Sequence, residues 1–163
     1  MRLSRAGRAK EGNMSDTRRV EVHWVNGKEF ETSTGSGHRV VTDARVQAGG
    51  NNHGPSPMEL LLVSLGSCTG ISFVDILRKM RQGVSRVEIH VEGVIGDSEP
   101  HVYTDLDVLY IVHGTDISPA AVERAIHLSK TKYCGISAML SKAANIKTHF
   151  EIMNEMDHTV HTP

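Results

Sequence analysis

The stretch Pro55–Gly70, PSPMELLLVSLGSCTG, decides how this chain is read. It places one carboxylate, Glu59, near its start and one thiol, Cys68, nine residues later. Apolar residues fill nearly every face from Met58 to about Arg81, and a helix with that pattern is buried on most sides. Leu60 to Leu77 is also long enough to raise a membrane-span reading. Asp75 within it, the four hydroxyls Ser64, Ser67, Thr69 and Ser72, and the charges Glu59 and Arg78 at its ends favour a core helix. With about 100° of turn per residue, Ser64, Cys68, Ser72 and Asp75 share one narrow face. That small polar seam leaves two readings of Cys68. It is a small buried hydrophobe where another helix comes close, or a reactive thiol in a sheltered pocket.

Upstream, RRVEVHWVNGKEFETST alternates Val20, Val22 and Trp24 with Glu21 and His23, and Asn26-Gly27 predicts a type I′ turn, hence a β-hairpin. HRVVTDARV predicts a third strand and AGGNNHGPSP a loop. Downstream, GVSRVEIHVEGVIGDSEPHVYTDLDVLYIVHG reads as two long strands around a GDSEP turn. Val87, Ile89 and Val91 form one face; Val102, Leu106, Val108, Tyr110 and Val112 form another. Ser118-Pro119 opens a helix as N-cap and first helical residue. A second helix starts near Tyr133-Cys134, and IKTHFEIM is a last strand. The predicted order is β-β-β-α-β-β-α-α-β, with helices segregated from antiparallel strands, an α+β fold. The strands are long and the first helix oily for a lone small chain; a dimer that buries this helix between sheets resolves that.

The 163 residues suit one domain, predicted over residues 17–153. Residues 1–16 are polar and basic without periodicity, a disordered arm or residues upstream of a start at Met14; residues 154–163 form a loose tail. Eighteen Lys and Arg against nineteen Asp and Glu give no field that points to nucleic acid or a membrane surface. Two cysteines do not make a secreted disulfide scaffold, and the basic start has no apolar segment behind it, so a cytoplasmic, reducing setting is expected. No cofactor fingerprint is present.

Cys134 stands where a helix begins, close in sequence to Lys130 and Lys132, a setting that lowers a thiol pKa. There is no C-x-x-C and the ten histidines lack ligand spacing, so no metal is expected. His23, His90, His101 and His113 read as ordinary sheet residues. His53, in the Gly-rich loop before the long helix, is the histidine that stands apart.

The pieces PSPMELLL…LGSC and KYCGISAMLSKAANI, in this order and spacing, resemble the OsmC/Ohr family of osmotically induced and organic-hydroperoxide-resistance proteins, and look closest to its OsmC-like redox-protein branch. The resemblance runs from about Arg18 to Ile152. It implies an intertwined homodimer with two central helices wrapped by sheets. It also implies a two-cysteine peroxidase: Cys68 attacks an organic hydroperoxide, Cys134 resolves the sulfenic acid as a disulfide, and a dithiol reductant, lipoyl-linked in some members, resets the pair. The alternative is a non-catalytic dimer of the same fold that binds a small apolar ligand or partner, with Cys68 as packing. The family's peroxidases carry a Glu ten residues before the first Cys, paired with an Arg. Here that position is Met58. Glu59, at nine, falls roughly 180° from Cys68 and about 13 Å along the axis, and reads as a helix-start acid. Arg39 and Arg45 are the candidate arginines, Arg45 nearer the loop that feeds the helix.

Overall fold

The computed structural model describes residues 17–155; the predicted arm, Met14 and most of the predicted tail lie outside them. The described chain falls into two compact units, residues 17–56 and 57–155. The element order is the predicted β-β-β-α-β-β-α-α-β.

In the first unit β1 (Val20–Asn26), β2 (Glu29–Thr34) and β3 (Arg39–Thr42) form an antiparallel meander. The hairpin is there, but its loop is Gly27-Lys28, one residue later than predicted, and Asn26 remains in β1 paired with Glu29. Only Gly27 takes a positive φ, so the turn is not the type I′ expected of Asn26-Gly27. A register shift between Trp24 and Asn26 moves the turn, and the Trp24 indole donates to the Gly27 carbonyl at 3.1 Å. After β3 the chain coils around Asp43. Its carboxylate accepts the N–H groups of Ala44, Asn51 and His53 at 2.7, 2.8 and 3.3 Å. Gly50 belongs to that coil, since a Cβ there would lie 1.9 Å from the Ala44 carbonyl oxygen.

In the second unit α1 (Pro57–Lys79) packs on β4 (Gly83–Ile95) and against α2 (Pro119–Leu128) and α3 (Gly135–Leu140). Its end is set by Arg81, which turns into the left-handed region at φ 55° while the Gln82 N–H bonds back to Leu77. α1 is apolar and long enough to span a membrane by composition alone, yet it is the core helix of this unit. Leu65, Thr69, Phe73, Ile76 and Leu77 make its buried stripe. Leu61, Val63 and Ile71 lie on its exposed side, so within one chain the helix is covered on one side rather than on most.

β4 and β5 (Tyr103–Thr115) pair antiparallel, and β6 (Asn145–Asn154) adds to β5 in parallel. The sheet is therefore mixed, not antiparallel as expected. β5 is central and its inward face is Leu106, Val108, Tyr110 and Val112. Val102, placed on that face by the sequence, is exposed ahead of the strand. A register shift between Val94 and Ile95 changes the phase, and Tyr103 turns inward instead. Ser118 caps α2 as predicted, its side chain accepting from the Ala121 N–H. Between α2 and α3 runs one π-helical turn, Ser129–Tyr133.

Candidate functional site

Cys68 sits midway along α1, half-buried; Cys134 is 2 % exposed, and neither is in a disulfide. The fold brings these two residues, 66 positions apart, near enough for the Cys68 side chain to raise the pKa of the Cys134 thiol. Cys134 is the N-cap of α3, as the sequence indicated. Its Sγ accepts the Ser137 N–H at 3.2 Å, and its own N–H closes the π turn on the Ser129 carbonyl at 2.9 Å.

The lowered thiol pKa expected at Cys134 is not found. Burial pushes the Cys134 thiol up to about 11, and the Cys68 side chain adds to the rise, outweighing the Ser137 and Ile136 N–H groups. The reasons are local. α3 is only six residues long. Lys130 turns away to donate to the Ile146 carbonyl at 2.6 Å, and Lys132 lies over the Tyr133 ring, 5.4 Å from its centre.

Behind the thiols lies a polar seam that sequence reading found only in part. Ser72 donates to backbone carbonyls of α1, and its Oγ is 2.6 Å from the Ser129 Oγ. Ser129, fully enclosed, also donates to the Thr69 carbonyl at 3.0 Å. These bonds pin the π turn to the turn of α1 that follows Cys68, and so set where Cys134 stands. Beneath them is Tyr110, fully enclosed, its ring tilted 50° against Phe73 at 4.8 Å. Its hydroxyl makes no hydrogen bond of ordinary geometry. Burial raises its pKa; Thr69 works against that, and Cys134 is close enough to add to it. Inward alternation on β5 gives the burial of Tyr110, but no sequence signal gives its unpartnered hydroxyl or the Ser72–Ser129 bond across 57 residues.

Glu59 takes its place in the first turn of α1, where an acid meets the positive helix end. Asp75 is exposed, off the seam that Ser72 and Cys68 share with the π turn. Arg39 is engaged by Glu31 on β2, which raises its pKa through their hydrogen bond and charge. Arg45 precedes a short 3-10 turn, Val46–Ala48, and its carbonyl accepts the Ala48 and Gly50 N–H groups. His53 does stand apart. Its Nδ1 is 2.7 Å from a Glu29 carboxylate oxygen, and that bond raises its pKa. Glu29, Asp43 and His53 hold the only group of potential metal-ligating atoms within 4.8 Å among the described residues. Three backbone N–H groups already occupy Asp43 and hold its carboxyl below the usual range, against the burial that raises it. The group is explained as a staple that fixes the loop.

A profile of OsmC-like proteins matches residues 49–149, well over half of the chain. The chain belongs to the OsmC-like family. It is 37 % identical over 134 residues to Protein YhfA of Escherichia coli K12, covering 82 % of this chain and 97 % of that protein. The crystal structure of a hypothetical protein from Aquifex aeolicus VF5 superposes with a TM-score of 0.77 at 30 % identity, over 87 % of this chain and all of that one. An organic hydroperoxide resistance protein from Legionella pneumophila shares the OsmC-like fold, with a TM-score of 0.63 at 15 % identity over 83 % of this chain and 97 % of that one.

Proposed function

We propose that this OsmC-like protein is a thiol-dependent reductase of organic hydroperoxides that cycles through a Cys68–Cys134 disulfide. The observation that carries the reading is the proximity of a half-buried thiol to a buried one. Cys68 thiolate attacks the outer peroxide oxygen; the O–O bond breaks, an alcohol leaves with one proton, and Cys68 becomes a sulfenic acid. Cys134 then attacks the Cys68 sulfur. An S–S bond forms, and the hydroxyl departs as water with the proton that Cys134 carried. An external dithiol reduces the disulfide and is itself oxidised.

Legionella and Elizabethkingia proteins of this fold are named for organic hydroperoxide resistance, and an apolar α1 suits an apolar substrate better than hydrogen peroxide. The working unit in this reading is a homodimer in the cytoplasm. Two sets of exposed apolar residues support the dimer: Val20, Val22 and Trp24 on β1 in the first unit, and Val63 and Ile71 on α1 in the second. A carboxylate–arginine pair at Cys68 is not needed for the resolving step, but its absence from the family position at Met58 makes the first step slow.

The test is consumption of tert-butyl hydroperoxide with dihydrolipoamide as reductant. Wild type turns over, Cys68→Ser does not, and Cys134→Ser gives one equivalent of sulfenic acid without turnover. Equal consumption by wild type and Cys68→Ser refutes the reading and leaves a ligand-binding dimer.

A further inference from the structure

Away from the thiols, the fold leaves a cavity of about 290 Å³ between α2 and β6. Glu123, Ile126, His127 and Lys130 line one wall, at the spacing that puts residues on one face of a helix; the last of them sits on the π turn that continues α2. Thr148 and Phe150 line the other wall, two residues apart and so on the same side of β6, the edge strand of its sheet. The volume is at the small end of the range for ligand sites, with room for a small molecule and not for a long chain. Its apolar part is Ile126, which is buried, and Phe150, which packs on the core. Glu123 and His127 are exposed and leave the mouth open to solvent.

Lys130 is the group in this cavity that the fold alone does not explain. Its ammonium is half-buried and donates to the Ile146 carbonyl, a neutral acceptor, at 2.6 Å. Among the described residues no carboxylate pairs with it. A partly buried charge is costly unless an opposite charge or further hydrogen bonds offset it. An ammonium carries three donors, and the Ile146 carbonyl takes one; the others are available to a ligand in the cavity that Lys130 lines. His127 and Thr148 bring further donors to the same space. Glu123 is the single acid in the lining, so the cavity accepts one negative charge and disfavours a second. We infer that this α2–β6 cavity binds a small monocarboxylic acid, its carboxylate on Lys130, His127 and Thr148 and its apolar body on Ile126 and Phe150. None of the six lining residues belongs to the thiol site, so the assignment stands whether or not Cys68 and Cys134 form a redox pair.

The experiment titrates hexanoate into the isotope-labelled full chain and follows the amide signals by NMR. Those of His127, Lys130, Thr148 and Phe150 shift together and saturate. Hexanol, with the same apolar chain and no charge, binds at least about tenfold more weakly, the scale of hydrogen bonds to a charged group. Adipate, with a carboxylate at each end, also binds more weakly, because its second charge meets Glu123. Lys130→Met nearly keeps the length of the side chain and removes its charge, and hexanoate affinity falls about tenfold or more. Should that variant disturb the π turn, the comparison of hexanoate with hexanol on the wild type decides the matter without a substitution. Shifts that never saturate, shifts centred on Cys68 and Cys134 instead, equal binding of hexanol, or unchanged affinity in Lys130→Met overturn the site. Equal binding of adipate overturns its restriction to a single negative charge.

Discussion

Replacing Ser129 by Ala removes one oxygen from a site with no solvent access. Two hydrogen bonds go with it: the 2.6 Å contact with Ser72 and the 3.0 Å bond to the Thr69 carbonyl. Ser72 recovers part of the loss through the Cys68 and Thr69 carbonyls it already approaches at 3.2 and 3.1 Å. One buried bond and one orphaned acceptor remain as the net cost, about 2 kcal/mol. For a chain of this length that lowers Tm by roughly 4–8 °C. The same bonds hold the π turn, and with it Cys134, against α1. Disulfide formation in the variant therefore slows by about fivefold or more, if half of that energy serves to hold the thiols together. The assays are thermal unfolding followed by circular dichroism, and diamide-driven loss of free thiols. Thr131→Ala is the control, because its hydroxyl bonds the His127 carbonyl on the exposed side of the same turn and holds nothing across the core. If Ser129→Ala matches wild type in both assays, or if Thr131→Ala does equal damage, the π turn is not positioned by this seam.

Three further outcomes follow from particular residues. The Cys134 thiol has a folded pKa raised from 9.0 to about 11, so between those values the unfolded chain has lost a proton that the folded chain keeps. Stability contributed by that thiol is present below pH 9.0 and falls as pH rises toward about 11; urea midpoints over that range show the slope, and Cys134→Ser removes it. At Gly93 a Cβ would lie 2.5 and 2.6 Å from two ring carbons of the buried Tyr103, so Gly93→Ala destabilises by about 1–3 kcal/mol in urea, while Gly135→Ala, with nothing within 4 Å, does not. Trp24 is the single tryptophan and is 67 % exposed in one chain. In the proposed dimer its fluorescence is blue-shifted and moves to the red on dilution; emission that stays at a solvent-exposed wavelength at every concentration argues against burial of β1 by a second copy.

What the sequence made legible was whatever depends on near neighbours along the chain. The helical period of α1, the Ser118-Pro119 start and the two-residue period of β4 and β5 are local, and each appears at about its predicted place. The parallel pairing of β6 was not legible, because IKTHFEIM alternates in the same way whichever direction its partner runs. The hairpin turn moved because a register shift in β1 outweighed the preference of Asn26-Gly27. At the site, Cys68 and Cys134 stand out in the sequence as its two thiols, whereas their proximity exists only once the chain has folded. The charge environment of Cys134 was misjudged because sequence proximity of Lys130 and Lys132 says nothing of where their ammonium groups go. The Glu29–His53 bond, across 24 residues, needed a folded loop to exist.

The π turn at Ser129–Tyr133 holds one residue more than an ordinary helical turn closes on, and Cys134 stands immediately after it. Its closing bond runs from the Cys134 N–H to the Ser129 carbonyl five residues back, where an ordinary turn closes on four. Removing one of Lys130, Thr131 or Lys132 would let normal winding resume with the same two groups bonded, and Cys134 would keep its place against α1. The turn is a spare residue stored in the backbone, and a chain one residue shorter here would still bring its two thiols together.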